Sequence, residues 1–395
     1  MNRDPYCVLP WMHVTSIPDG RSAPCCTWKG MTDAQRAGDF FHGAWMQEFR
    51  QQMRDHAPPE GCKDCLSSAQ LGTYSQRDDG WDVYRNMLAN AQFTDQPRLQ
   101  YMELNFSNIC NLKCRMCGND RSSKWTADSE AMGFPVQGKV VNDVVITDSM
   151  LSDLRYIKLL GGEPLLHAEQ LTDILGRAAE LGTLAELSLG ITTNGTIRPA
   201  QRLLELLAKC HHVIWTVSVD AQGELNDYIR TGSSWAEVSA NLLWLYDLCT
   251  VHRGWNLGIG SVCMIHNANR MEELAGWVDT NLPNRIDSHH WYPCNFPEYL
   301  SVTRLPAHYL ASLASKYQSL ADAETNTWRR DRWWLPLAEL MRSSQDQAAY
   351  INRHHSWSAF SAPSLPLISR LDALRGDSLA AVNPEIYEQL RGANQ

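Results

Sequence analysis

"NFSNICNLKCRMCGND", residues 105–120, places Cys110, Cys114 and Cys117 within eight positions as C-x-x-x-C-x-x-C. That count is awkward for either common use of clustered cysteine. A structural zinc site closes on four ligands, and a disulfide framework needs an even number. Three thiolates leave a [4Fe–4S] cluster, which normally takes four, with one iron open to another ligand. A zinc knuckle completed by a distant fourth ligand is the alternative. The stretch also opens the fold, because the apolar strand pattern "LQYMELNFS" (99–107) runs directly into it. The cysteines therefore stand just past a strand's carboxyl end.

Outward from that strand the pattern repeats. Further strand candidates are "RYIKLLGG" (155–162), "AELSLGITTN" (185–194), "HVIWTVSVD" (212–220), "NLGIGSVCMI" (256–265) and "SHHWYPCN" (288–295). Helical segments such as "AEQLTDILGRAAELG" (168–182) and "SWAEVSANLLWLYDLC" (234–249) lie between them. Strands alternating with helices at this pitch give an α/β fold with a parallel sheet, open or closed into a barrel. Ligands of such folds gather at the carboxyl ends of the strands. "GGEP", "TTNG", "SVD", "GSVC" and "PCN" all stand there with the cysteine loop.

Upstream, the segment "WMHVTSIPDGRSAPCC" (11–26) reads as a hairpin turning at Asp19 and Gly20, since Asp-Gly tolerates the positive φ of tight turns. Its return strand brings Cys25 and Cys26 back toward Cys7. A helix within "GAWMQEFRQQMRDHAPPEGCKDC" (43–65), stopped by Pro58 and Pro59, presents Cys62 and Cys65. Downstream of residue 300 the chain is helical and tryptophan-rich, "NTWRRDRWWLPLAEL" (326–340), which reads as a packed cap before a substrate lid because large aromatics are usually core.

Composition narrows the function. Of 395 residues, 44% are hydrophobic and 20% charged, an ordinary globular balance. No apolar run approaches the ~18 residues that span a bilayer, and the first residues lack a secretory signal's pattern. The expectation is a soluble, cytoplasmic protein without a membrane partner. A net charge of −9 argues against a general nucleic-acid binder. Twelve cysteines in such a chain point to metal or redox chemistry before disulfides, and eight of them lie in the first 117 residues.

The cysteine spacing, with Met116 just before the last cysteine, resembles the radical S-adenosylmethionine (SAM) superfamily. In that family SAM's amino and carboxylate groups chelate the fourth iron. An electron from the cluster then cleaves SAM to methionine and a 5′-deoxyadenosyl radical, which takes hydrogen from substrate. The later motifs match in order. Gly161, Gly162, Glu163 and Pro164 resemble the family's GGEP, which implies a contact with the SAM amino group. Thr193 and Asn194 of "TTNG", with Ser218 and Asp220 of "SVD", resemble the strand ends that contact SAM's ribose and carboxylate. Arg230 in "LNDYIRTG" suits a carboxylate as a bidentate fork, Met116 would back the adenine, and an ordinary surface arginine is the other reading of Arg230.

A second resemblance covers the N-terminal region. "CVLPWMHVTSIPDGRSAPCC…AWMQEFRQQM…GCKDC" is similar to the SPASM/twitch auxiliary-cluster module, here placed ahead of the barrel. It implies a second [4Fe–4S] cluster on Cys7, one of Cys25 or Cys26, Cys62 and Cys65. Cys25 aligns with the usual Pro-Cys, although adjacent cysteines cannot be separated from sequence. Structural zinc at the same four positions is the alternative. The two resemblances imply a partial (β/α)6 TIM-like barrel over 96–300, a SPASM/twitch-like module over 1–95 and a C-terminal helical extension over 301–395. They also imply a radical SAM oxidoreductase acting on a small-molecule or peptide substrate, supplied with electrons by an external donor such as flavodoxin or ferredoxin. Redox-neutral epimerisation, with Cys294 or Cys263 as hydrogen donor, competes with net oxidation. A non-catalytic metal-binding scaffold is the reading outside enzymology.

Overall fold

The computed structural model describes residues 6–17, 20–28, 37–63, 65–66, 75–87, 96–142, 145–283, 288–346 and 364–392. Eight strands form one sheet: β1 (His13–Ser16), β2 (Ser22–Ala23), β3 (Tyr101–Asn105), β4 (Tyr156–Leu160), β5 (Ser188–Thr193), β6 (His212–Ser218), β7 (Trp255–Cys263) and β8 (Ser288–Pro293). Their order is β2-β1-β3-β4-β5-β6-β7-β8. Every neighbouring pair is parallel except the hairpin pair β1 and β2. The six strands expected from the sequence are β3 to β8.

The expected hairpin forms as well, with Gly20 at φ +87° closing it, while Asp19 lies outside the described residues. Its position was not legible in the sequence. β1 lies parallel to β3, with Thr15 opposite Glu103, so the sheet runs unbroken across the change of texture near residue 95. All four β1 residues are buried, and burial against β3 is what holds this short strand in the sheet.

Alternation along the strands separates two faces. Met102, Leu104, Ile157, Leu159, Leu189, Ile191, Val213 and Trp215 form one core with the crossover helices Ala168–Glu180, Gln201–Leu207 and Trp235–Val251. Thr15, Glu103, Lys158, Gly190 and Ile214 make one register row on the other face. That face curls inward. β4 and β8 would stand about 19 Å apart in a flat sheet, yet Tyr292 on β8 is an electrostatic neighbour of Lys158 on β4.

The C-terminal helices build a second core against the ends of β7 and β8. It contains Cys263, Met264, Leu310, Leu313, Trp333, Trp334, Leu337 and Met341. Trp333 also donates its indole N–H to the His289 carbonyl at 2.7 Å. Two of the three clustered tryptophans are therefore core, as the cap reading expects, and Trp328 is the exposed one.

Candidate active site

The cysteine loop leaves β3 and is held at once by the ends of its neighbours. At the end of β4, Gly161 takes φ +117°, and a Cβ on Gly162 would stand 2.1 Å from the Ile109 carbonyl oxygen. Only glycine permits that approach. The Gly162 N–H donates to the Ser107 carbonyl and the Glu163 N–H to the Ile109 carbonyl, both at 3.0 Å. The GGEP turn thus fixes the backbone immediately before Cys110. Pro164 then opens the short turn Pro164–His167.

Glu163 is 1% exposed, and its carboxylate accepts from three protein donors: the Leu165 N–H at 3.1 Å, the Thr193 hydroxyl at 2.9 Å and the Asn194 N–H at 2.8 Å. It ties the end of β4 to the end of β5. Burial pushes its carboxyl up, and those three hydrogen bonds oppose the shift. The Asn194 amide donates to the Asn111 side chain at 2.8 Å and lies 3.8 Å from the Cys110 sulfur.

The far side of the loop lies on the segment after β6. Backbone bonds from Lys113 to the Thr231 carbonyl (3.0 Å) and from Arg115 to the Ile229 carbonyl (2.8 Å) straddle Cys114. Between those anchors, Arg230 donates to the Cys114 sulfur at 3.8 Å and pairs with Asp220 at 2.9 Å. Arg230 is therefore a buried residue of the loop's surroundings and not a surface arginine. Asp220 also accepts from the Val262 N–H at 2.7 Å, which links β6 to β7. Ser218 is half-buried at the end of β6, opposite Gly260, and Met116 packs against the second core.

The electrostatics of the three thiols suit a cationic guest. Burial raises Cys110 to about 11, and the neighbouring Cys114 and Glu163 add to the shift. Cys114 and Cys117 share a hydrogen bond that favours the thiolate at Cys114 and the thiol at Cys117. A bound metal inverts this balance by supplying the positive charge that thiolates need. A cavity of about 510 Å³ adjoins Cys117 and is walled by Trp125, Phe134, Val136, Phe296 and Tyr299.

The N-terminal cysteines converge too. Cys7, Cys25, Cys62 and Cys65 line one small cavity with Leu9, Phe49 and Arg77. Burial, with a smaller contribution from thiolate charge on the neighbouring cysteines, raises Cys7, Cys25 and Cys62 to about 12 each. Cys26 is absent from that lining and lies beside Glu103 and Lys158 on the polar face of the sheet. Four thiols around one cavity fit a fully protein-ligated metal group, and three on the other loop fit an open one. Among the described residues, no group of three or more His, Cys, Asp or Glu side chains is already drawn together around a single-ion position.

Cys263 and Cys294 are buried in the second core, joined by a backbone bond from Cys294 to the Cys263 carbonyl at 2.8 Å. Burial pushes both thiols up, Cys294 to about 12, and the Cys294 thiol donates to the Phe296 carbonyl at 3.6 Å. Of the histidines, His266 and His289 are buried and hold their rings neutral, while His290 is exposed. Sequence reasoning missed Arg115, Trp125 and the Glu103–Lys158 pair. A basic residue inside the cysteine loop, and a Glu and a Lys inside otherwise apolar strands, were the available signals.

Residues 104–278, the segment bearing the cysteine loop, the GGEP turn and Arg230, match the model of the Radical SAM superfamily. That family uses a [4Fe–4S] cluster and SAM. Among curated proteins, the tungsten-containing aldehyde ferredoxin oxidoreductase cofactor-modifying protein of Pyrococcus furiosus is 24% identical over 185 residues. The match takes in 46% of this chain and 48% of that protein, so the chain spans about half the length of this relative. Solved structures that match the chain in part include anSMEcpe with bound AdoMet, at 15% identity and a TM-score of 0.42, covering 57% of this chain and 61% of that one. Streptococcus suis SuiB bound to S-adenosylmethionine is 17% identical with a TM-score of 0.36, covering 71% of this chain and 60% of that one. No helix among the described residues is long and apolar enough to cross a membrane.

Proposed function

We propose that this chain is a radical SAM oxidoreductase with a catalytic [4Fe–4S] cluster on Cys110, Cys114 and Cys117 and an auxiliary [4Fe–4S] cluster in a SPASM/twitch-like N-terminal module. The observation that carries this reading is the cysteine loop pinned from the ends of β4 and β5, by Gly162 and Asn194, and from the segment after β6, by Arg230. Bound there with SAM, such a cluster would supply the one-electron reductive cleavage of SAM that initiates hydrogen abstraction from substrate.

The chain's own residues do the rest. Gly162 and Glu163 hold the loop against β4 and β5. Arg230 brings a guanidinium to Cys114, and its remaining donors suit the SAM carboxylate. Ser218 and Asp220 stand beside it as SAM contacts, and Met116 backs the adenine. On the inward face, the partial barrel offers Lys158, Thr192 and Thr216 as donors to a polar natural-product intermediate or peptide. The four thiols of Cys7, Cys25, Cys62 and Cys65 would hold an auxiliary cluster with no iron position left for substrate, which suits it to take up or relay an electron. That favours net oxidation over epimerisation. A flavodoxin or ferredoxin in the cytoplasm would supply the first electron.

Anaerobically prepared protein should contain two iron–sulfur clusters per chain and produce 5′-deoxyadenosine on reduction with SAM. With substrate in deuterated water, an oxidised product lacking solvent deuterium supports the oxidative reading, and deuterium at the reacting carbon supports epimerisation. Colourless protein with stoichiometric zinc and no SAM cleavage would overturn the proposal in favour of a scaffold.

A further inference from the structure

The radical SAM domain match ends at residue 278, yet the cysteine loop is gripped from the chain's last described helices. Arg115, between Cys114 and Cys117, is buried with its side chain 1% exposed. Its guanidinium donates to the Tyr228 carbonyl at 2.9 Å and pairs with Asp372 at 2.8 Å and Asp377 at 2.7 Å. It also lies 3.6 Å over the centre of the Tyr228 ring. Asp372 belongs to the helix Ser364–Arg375, accepts the Tyr228 hydroxyl at 2.9 Å and is itself fixed by the Leu379 N–H at 2.8 Å. Arg375 of the same helix pairs with Asp128 at 2.7 Å and lies 4.4 Å from the ring centre of Trp125, whose indole donates to the Cys114 carbonyl at 2.9 Å.

These contacts have a direction. Tyr228 is two residues before Arg230, and the Arg115 backbone bonds to Ile229 between them. Whatever fixes Arg115 and Tyr228 therefore fixes where Arg230 meets Cys114. A guanidinium with two carboxylates and an aromatic face is held in one orientation, which a lysine's point charge would not be. Hydrogen bonds to cluster sulfurs tune a cluster's potential, and outer contacts of this kind govern how firmly ligands hold a metal.

We propose that Arg115, Asp372 and Asp377 form a positioning clamp by which the C-terminal segment, beyond the radical SAM domain, sets the geometry of the cysteine loop and Arg230. The proposal rests on the reading that this loop binds the catalytic cluster.

The test uses the full-length holoprotein and two readouts other than turnover: the rate of iron loss to a chelator, and the electron paramagnetic resonance spectrum of the reduced protein with and without SAM. Because Arg115→Met removes a buried guanidinium, the pair Asp372→Asn and Asp377→Asn serves as the gentler variant, with Arg115→Lys as the conservative one. Glu272→Gln, which breaks the distant ion pair to Lys316 (2.5 Å), controls for general loosening. Clamp variants should lose the SAM-responsive signal about 10–100-fold faster than wild type and show an altered SAM-bound spectrum, with Arg115→Lys intermediate. The control should match wild type. Clamp variants with wild-type iron loss and spectra, or a control that loses iron equally fast, would overturn the clamp. A wild-type protein with no SAM-responsive signal would instead count against the cluster reading.

Discussion

Gly162→Ala puts the largest demand on the smallest change. The added methyl would meet the Ile109 carbonyl oxygen at 2.1 Å and its carbon at 2.5 Å, with the Asn108 carbonyl carbon at 3.0 Å. These are backbone atoms, so no side chain can swing away. Reaching even 3.0 Å from the oxygen needs a displacement of about 0.9 Å between the turn and the segment preceding Cys110. The hydrogen bond from Glu163 to Ile109 lies in the path of that movement. Overpacking of this kind costs roughly 1–3 kcal/mol in stability, and an error near 1 Å in a reacting geometry costs about 10²-fold in rate. The functional loss should therefore exceed what the stability loss alone would cause. The assay is 5′-deoxyadenosine formation by reconstituted protein, read beside thermal unfolding. Gly276→Ala, inside the helix Met271–Asn281 where an added methyl meets no atom within 4 Å, is the control. It should keep activity and gain about 0.5–1 kcal/mol from helix propensity. A Gly162→Ala protein that cleaves SAM at the wild-type rate would refute the view that this contact sets the cysteine loop.

Two further outcomes follow from the same geometry. Cys25→Ser should lose the auxiliary iron while Cys26→Ser retains it, because only Cys25 shares the cavity with Cys7, Cys62 and Cys65; iron and sulfide analysis decides, and the reverse pattern would reassign the ligand. His13, His266 and His289 have folded-state pKa values held below the ordinary value by burial. Their stabilising effect is present above about pH 6.5 and is lost as pH falls toward the depressed values, by up to ~1.4 kcal/mol per histidine for each pH unit. His266, with neither ring nitrogen hydrogen-bonded, is the clearest case, so His266→Leu should flatten the acid side of the urea-midpoint profile. An unchanged slope between pH 6.5 and 5 would refute its part.

What the sequence could show followed from periodicity and local chemistry. β3 to β8 were readable because alternation such as Met102 and Leu104 against Tyr101 and Glu103 is a local pattern. Gly20, Gly161 and Gly162 were readable because each answers a nearby backbone demand. The place of β1 was not, since pairing His13 with Tyr101 depends on contacts 88 positions apart in the chain. Glu163 shows a subtler limit. Its identity implied an acceptor for SAM's ammonium, whereas three of its acceptor directions are taken by Leu165, Thr193 and Asn194. The partners of Arg115 were invisible for the same reason as β1, because Asp372 and Asp377 stand more than 250 residues downstream.

The placement of the two cysteine groups constrains how they can cooperate under the proposed function. Cys110 follows the carboxyl end of β3, while Cys7 precedes the amino end of β1, which runs parallel to β3. Cys25 follows β2, whose antiparallel course returns to that same amino end. The groups therefore stand at opposite ends of the strands, and a five-residue strand such as β3 is about 17 Å long. A hydrogen atom must be taken at contact distance, so substrate carbon belongs near the Cys110 loop. An electron does not need contact, and a cluster held by all four cysteines would have no iron position left for a substrate atom. Between the two ends lies the row of Thr15, Glu103, Lys158 and Gly190, with Glu103 paired to Lys158 at 3.4 Å and to the Tyr101 hydroxyl at 3.1 Å. Loss of an electron from a substrate radical also leaves a proton to be placed. A charged, hydrogen-bonded row between the two cysteine groups meets that need, where an apolar interior like the opposite face would not.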